Sequence, residues 1–189
     1  MIRLAVVSDI GSVKSYIAKQ FGYPVFNADN EVAKLYKKNK MIFNSLKKKL
    51  PKHIYSFPIK KEEISKAILD NKNNLKKIVK IVHKEIRKKI NIFLKKNKDK
   101  KIIILDIPLL LENKINKKGD ILIFVQSKKD DIYKRLKKRD NFNNKLLNKF
   151  KSIQLSLNYK KNRSQYIIKN DFTKKSIKKN IARILKEVS

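Results

Sequence analysis

Ile2-Arg3-Leu4-Ala5-Val6-Val7-Ser8 runs directly into Asp9-Ile10-Gly11-Ser12-Val13-Lys14-Ser15, and the reading of this junction decides the fold. The first half is apolar, rich in β-branched residues and without a helical period, which predicts a strand buried on both faces. A short loop follows at 9–13. Residues 14–21 then predict a helix, closed by Gly22 as a C′ glycine. A buried strand, a short turn and a helix in that order begin an α/β fold.

The same grammar continues outward. Tyr23-Pro24-Val25-Phe26 predicts a short second strand that ends at Asn27-Ala28-Asp29. From 30 to about 96 the pattern is helical, interrupted at Pro51 and Pro58. Leu75, Ile78, Val79, Val82, Ile86, Ile90 and Phe93 mark one face of a long helix. Solid apolar strands return at 102–107 and 121–125. Ser127 with Asp130 predicts a capping box for the next helix. Residues 143–160 predict one polar, lysine-rich helix, and 166–169 a last strand. Thr173 is placed to cap a final amphipathic helix carrying Ile177, Ile181, Ile184 and Leu185. Alternating strands and helices imply a parallel sheet covered on both faces, with ligands at the carboxyl ends of the strands.

Composition excludes several classes. The chain has 189 residues, 41% of them apolar, enough for one α/β domain with an inserted subdomain. It has no cysteine, hence no disulfide or thiolate metal site, and two histidines, His53 and His83, are too few for a histidine-built one. No apolar run reaches eighteen residues, so no transmembrane helix is expected. The short apolar N-terminus lacks a basic flank and a cleavage site, so a cytoplasmic location is the default.

The formal charge of +34 allows a nucleic-acid surface, but one is not expected. The excess is 44 lysines against 6 arginines, spread over the whole chain with abundant Asn and Ile, the signature of AT-rich codons. Against that background a retained arginine implies a use for its planar fork. The six are Arg3, Arg87, Arg135, Arg139, Arg163 and Arg183.

The chemistry is sought at the strand ends. Residues 8–15 follow the phosphate-binding pattern G-x-x-x-x-G-K-[ST] between a strand and a helix. Lys14 stands where a lysine reaches the β- and γ-phosphates, and Ser15 where a hydroxyl reaches Mg²⁺. Ser8 and Val13 replace the two glycines. Glycine permits backbone angles that a β-branched residue resists, so the pattern alone leaves two readings: a degenerate P-loop, or an ordinary turn with a solvated Lys and Ser. Asp29 is placed to accept a proton from an attacking hydroxyl; alternatively Asn27 or Asp29 caps a helix starting near Glu31. Asp106 ends the third strand, where a carboxylate supports Mg²⁺ or caps the following turn. Arg135 and Arg139, spaced i,i+4 on one predicted helix, would clamp a triphosphate from one face, or form part of a solvated one.

In this order the segments resemble the dephospho-CoA kinase family over essentially the whole chain. The family's GGIGSGKS loop is matched at Ile10, Gly11, Ser12, Lys14 and Ser15. Its Asp-Ala-Asp appears as Asn27-Ala28-Asp29. Asp106-Ile107-Pro108-Leu109-Leu110-Leu111-Glu112 is similar to D-x-P-L-L-[FV]-E, the most specific of the matches. A His-Pro followed by a basic residue is matched by His83 and Arg87, with Lys84 in place of the proline. The lid signature R-x-x-x-R-D, a glutamine and a strand-ending asparagine correspond to Arg135, Arg139, Asp140, Gln154 and Asn170, while Phe150 replaces an arginine.

The resemblance implies a P-loop kinase fold in three parts: a core of 1–29, 97–127 and 165–189, a helical CoA-binding insertion at 30–96, and a lid at 128–164. It implies ATP-dependent phosphorylation of the ribose 3′-hydroxyl of dephospho-CoA, with Mg²⁺, by a monomer. Ile10 to Ser15, Tyr16, Arg135 and Asn170 would bind ATP. Asp29, His83, Arg87, Asp106, Pro108 and Leu109 would meet the acceptor. Lys14, Asp29 and Arg139 would be catalytic, with Ser15 and Asp106 on the metal. Two rivals remain: a related kinase with a nucleoside or nucleotide acceptor, and a weakened P-loop homologue that binds nucleotides or nucleic acid through its charge.

Overall fold

The computed structural model describes residues 1–139 and 142–188. In chain order the strands are β1 (Ile2–Ser8), β2 (Val25–Asn27), β3 (Ile102–Asp106), β4 (Ile121–Ser127) and β5 (Tyr166–Asn170). The helices are α1 (Lys14–Gln20), α2 (Ala28–Lys38), α3 (Lys40–Lys49), α4 (Lys61–Asp70), α5 (Lys72–Lys96), α6 (Lys129–Lys137), α7 (Asn144–Lys151), α8 (Leu157–Asn162) and α9 (Lys174–Val188).

The strands form one parallel sheet in the order β2-β3-β1-β4-β5. Every residue of β3 is buried, as the unbroken run Ile102-Ile103-Ile104-Leu105 requires of a central parallel strand. On one face Leu4, Val6, Ile104, Ile123 and Ile168 pack with Ile17 and Ala18 of α1 and Ile177, Ile181 and Ile184 of α9. Thr173 caps α9 as its position predicts, with Oγ1 accepting from Ser176 N at 3.3 Å. The chain switches direction across the sheet beside β1, so the carboxyl ends of β1 and β3 flank the crevice where such sheets hold ligands.

The chain divides into two compact units: Met1–Asn27, Lys95–Phe142 and Gln154–Ser189 in the first, Ala28–Leu94 and Asn143–Ile153 in the second. The first holds the sheet. The second is helical, and α5 turns Leu75, Ile78, Val82, Ile86 and Ile90 inward along the predicted stripe. Residues 128–164 are shared between the units, with 143–153 in the helical one.

Several local expectations are corrected. The helix expected near Glu31 begins at Ala28, so Asp29 lies in the first turn of α2, where a carboxylate also favours the positive end of the helix dipole. The Ser127 capping box does not form. Ser127 is the last residue of β4, α6 is preceded by Lys128 without a side-chain cap, and the Ser127 hydroxyl accepts from Asn170 instead. The single helix expected at 143–160 is two: α7 ends at Lys151, and Ser156 caps α8 through Tyr159 N. Arg135 and Arg139 do not share a helix, because α6 stops at Lys137 and Arg139 lies beyond its C-cap.

Candidate active site

The loop after β1 has its carbonyls tied down by side chains. Asp9 O accepts from the hydroxyls of Ser8 at 2.9 Å and Ser12 at 2.8 Å. Ser12 O accepts from Asn170 Nδ2 at 3.4 Å, and Ser8 O from Lys160 Nζ at 3.5 Å. Val13 O accepts from the amides of Tyr16 and Ile17 as the first carbonyl of α1. With these oxygens engaged, the amides of Lys14 and Ser15, which precede the first hydrogen bond of α1, mark the positive end of a ready anion site.

Val13 sits at the N-cap of α1 with φ 55° and ψ 29°. This is the left-handed conformation that glycine supplies at no steric cost and that a β-branched residue enters only under strain. The loop therefore takes a glycine-like path at this position without the glycine. The retained Gly11 is required twice: its φ of 89° is one that side chains rarely adopt, and an added Cβ would come 3.0 Å from Ile132 and Leu136 of α6.

Lys14 leaves the first turn of α1 and places Nζ 2.5 Å from Asp106 Oδ1. The two meet as charges, without the alignment of a hydrogen bond. Asp106 is 1% exposed. Its second oxygen, Oδ2, accepts from Asn27 Nδ2 at 2.5 Å. Sheet register sets this up, since Asn27 of β2 lies opposite Asp106 of β3. Asn27 Nδ2 also lies 3.5 Å from Ser15 Oγ. Lys14, Ser15, Asn27 and Asp106 thus form one cluster at the carboxyl ends of three neighbouring strands, and an amide where the resemblance expects a carboxylate spares Asp106 a second negative charge.

Ser15 and Asp106 offer hydroxyl and carboxylate oxygens, the hard donors Mg²⁺ prefers. Among the described residues no group of three or more His, Cys, Asp or Glu side chains gathers to hold a metal.

The remaining predicted residues are placed as follows. Ile10 N donates to Asp9 Oδ1 at 2.7 Å, and Tyr16 is exposed on α1. Asn170, at the end of β5, donates to Ser12 O and to Ser127 Oγ and accepts from Phe172 N. The Arg135 guanidinium stands 5.1 Å from the centre of the Phe172 ring, a cation–π contact. Pro108 and Leu109 are half-buried in the turn after β3, and Leu109 takes φ 56°. Asp140 lies outside the described residues.

Asp29, His83 and Arg87 belong to the helical unit, where Asp29 is exposed on α2. His83 is half-buried on α5 with Nδ1 enclosed and without a hydrogen-bond partner. Burial, followed by the charge of Arg87, pushes its pKa below the ordinary 6.5 and favours the neutral ring.

Two contributors went unread in the sequence. Asn27 reads in the sequence as a pattern departure or a helix cap, whereas strand register sets it opposite Asp106. Lys160 was one lysine among 44; its side chain is buried and paired with Glu112 Oε1 at 2.9 Å. Arg3 shows the use expected of a retained arginine, holding Asp120 with Nε at 2.9 Å and Nη2 at 3.0 Å at the opposite end of β1.

A parallel sheet of this order, with an anion-ready turn ending in Lys14-Ser15 and a buried carboxylate beside it, defines a P-loop phosphotransferase. The family model described as dephospho-CoA kinase matches residues 2–176. The chain belongs to the dephospho-CoA kinase family, whose members are ATP-dependent kinases. A relative named dephospho-CoA kinase from Wolbachia pipientis is 32% identical over 179 residues, 92% of this chain and 91% of the relative. The solved structure of a Thermus thermophilus protein matches with a TM-score of 0.76 at 20% identity, over 100% of this chain and 98% of that one. A dephospho-CoA kinase from Campylobacter jejuni gives 0.62 at 22% identity, over 99% and 97%. At these identities the structural likeness bears on the fold.

Proposed function

We propose that the chain transfers the γ-phosphoryl group of ATP to the ribose 3′-hydroxyl of dephospho-CoA, the last step of coenzyme A synthesis. The observation that carries this is the Lys14–Asp106–Asn27 cluster beside the phosphate-binding turn, in a chain of this family.

Ile10 to Ser15 form the loop that holds the β- and γ-phosphates, aided by the positive end of α1. Lys14 moves from Asp106 to the γ-phosphoryl oxygens, where it offsets the charge of the transition state. Asp106 and Ser15 would hold Mg²⁺, which when bound neutralises phosphate charge and orients the β- and γ-oxygens. Asp29 orients the acceptor hydroxyl and takes its proton. His83, Arg87, Pro108 and Leu109 contact dephospho-CoA. Arg135, Arg139, Tyr16 and Asn170 serve the nucleotide. The parts 1–29, 97–127 and 165–189 act as core, 30–96 as the acceptor-binding insertion and 128–164 as a lid that excludes water. The enzyme acts in the cytoplasm as a monomer; among the described residues, no helix is long and apolar enough to cross a membrane.

The test is to incubate the protein with ATP, Mg²⁺ and dephospho-CoA and to follow CoA and ADP. Equal amounts of both are expected, with CoA abolished in Asp29→Asn while nucleotide still binds. Folded protein that yields no CoA rejects the assignment. Transfer to a nucleoside monophosphate instead would favour the sibling kinase. A weakened P-loop homologue, in which Val13 spoils the loop, would instead show poor ATP affinity and steeply salt-dependent RNA or DNA binding.

A further inference from the structure

Lys160 is 3% exposed, and no other lysine is buried among the described residues. Codon bias explains lysines on the surface; it does not explain one inside, where an ammonium loses its hydration. Lys160 Nζ reaches three oxygens from three parts of the first unit: Glu112 Oε1 at 2.9 Å, Gln154 Oε1 at 3.4 Å and Ser8 O at 3.5 Å. Glu112 Oε1 also accepts from Leu155 N at 3.0 Å. Its side chain is 8% exposed.

A buried ion pair is a poor device for stability alone, since apolar residues of similar size hold a fold as well or better. What an apolar side chain cannot do is donate to the carbonyl of Ser8. That peptide opens the phosphate-binding turn at a position where a glycine of the pattern is missing. The Ser8 carbonyl is engaged by Lys160 Nζ at 3.5 Å. The next carbonyl, Asp9 O, is engaged in turn by the Ser8 and Ser12 hydroxyls.

We infer that Lys160 is a positioning residue for nucleotide binding, acting through the Ser8 carbonyl, and that Glu112 and Gln154 keep its ammonium on that oxygen. The inference rests on the reading of residues 8–15 as a nucleotide loop, not on the identity of the acceptor. Lys160 also ties the loop to the Gln154–Asn162 segment, so phosphate engagement is felt in α8.

The test compares wild type with Glu112→Gln/Lys160→Met, which removes both buried charges and keeps an acceptor for Leu155 N. The double variant should melt within a few degrees of wild type. By calorimetry it should bind Mg·ATP about tenfold or more weakly, the loss expected for one charge-assisted contact. The KM for ATP should rise while that for dephospho-CoA stays put. A stable double variant with wild-type ATP affinity makes the pair merely structural and overturns the inference. A wild-type protein that binds Mg·ATP but makes no CoA defeats the kinase assignment and leaves the calorimetric comparison intact. If the double variant does not fold, amide hydrogen exchange on wild type decides. Mg·ATP should protect residues 157–162 together with 8–15, and protection confined to 8–15 overturns the inference.

Discussion

Lys14 Nζ and Asp106 Oδ1 lie 2.5 Å apart, so the lysine we propose for phosphate already has a buried carboxylate as its counter-charge. The same carboxylate is held from its other side by Asn27. The cluster is preorganised, and on the proposed function an incoming triphosphate would compete with Asp106 for Lys14.

Lys14→Met removes the cation that follows charge to the γ-phosphoryl group. It should lower kcat by about a hundredfold or more, the usual consequence of deleting one preorganised donor to a developing charge. The KM for dephospho-CoA should stay near wild type. Steady-state kinetics with each substrate varied checks this.

Val13→Gly tests the strained turn. Val13 already occupies the left-handed region at φ 55°, so glycine changes the cost of the conformation and not its shape. ATP affinity should therefore change less than about threefold, below 1 kcal/mol. The melting temperature should move by only a few degrees, because relief of about 1–3 kcal/mol of strain is offset by lost packing and a freer unfolded chain. A large gain in ATP affinity would show that the valine side chain obstructs the phosphate.

The fold was legible where one physical signal dominated. Unbroken apolar runs gave β1, β3 and β4, and a 3.6-residue stripe gave α5. Legibility failed where tertiary contacts overrode a local pattern. Ser127 prefers Asn170 across the sheet to a capping box, and the lysine-rich stretch 143–160 breaks because Ser156 opens a second helix. At the site, Lys14, Ser15 and Asp106 were visible from their places at strand ends. The glycine-like backbone of Val13 was not, since nothing in a β-branched residue announces a positive φ. Lys160 was hidden by its own abundance: 44 lysines carry no information about which one is buried.

Glu63 gives a stability prediction with a definite sign. Burial would raise its pKa, but hydrogen bonds from the Ser56 hydroxyl and the amides of Tyr55 and Ser56 outweigh it and hold the carboxyl below the ordinary 4.5. A folded pKa below the unfolded one contributes stability that is full above pH 4.5 and lost as pH falls through the folded value. Denaturant unfolding at a series of pH values should show this loss in wild type and a flatter profile in Glu63→Gln, which starts less stable at pH 7.

His83 gives the corresponding prediction for binding. Its depressed pKa leaves the ring neutral at pH 7, so the KM for dephospho-CoA should be flat from pH 7 upward and change only below about 6.5. His83→Ala should raise that KM by about tenfold, the loss of one buried hydrogen bond with its desolvation. The KM for ATP should be unaffected.

Calorimetric titration of the wild-type protein with Mg·ATP asks whether residues 8–15 wrap a phosphate around Val13. Saturable binding at one site, weakened at least tenfold in Lys14→Met, is the predicted result. Well-folded protein that takes up no Mg·ATP at millimolar concentration would show that this loop is not a nucleotide site.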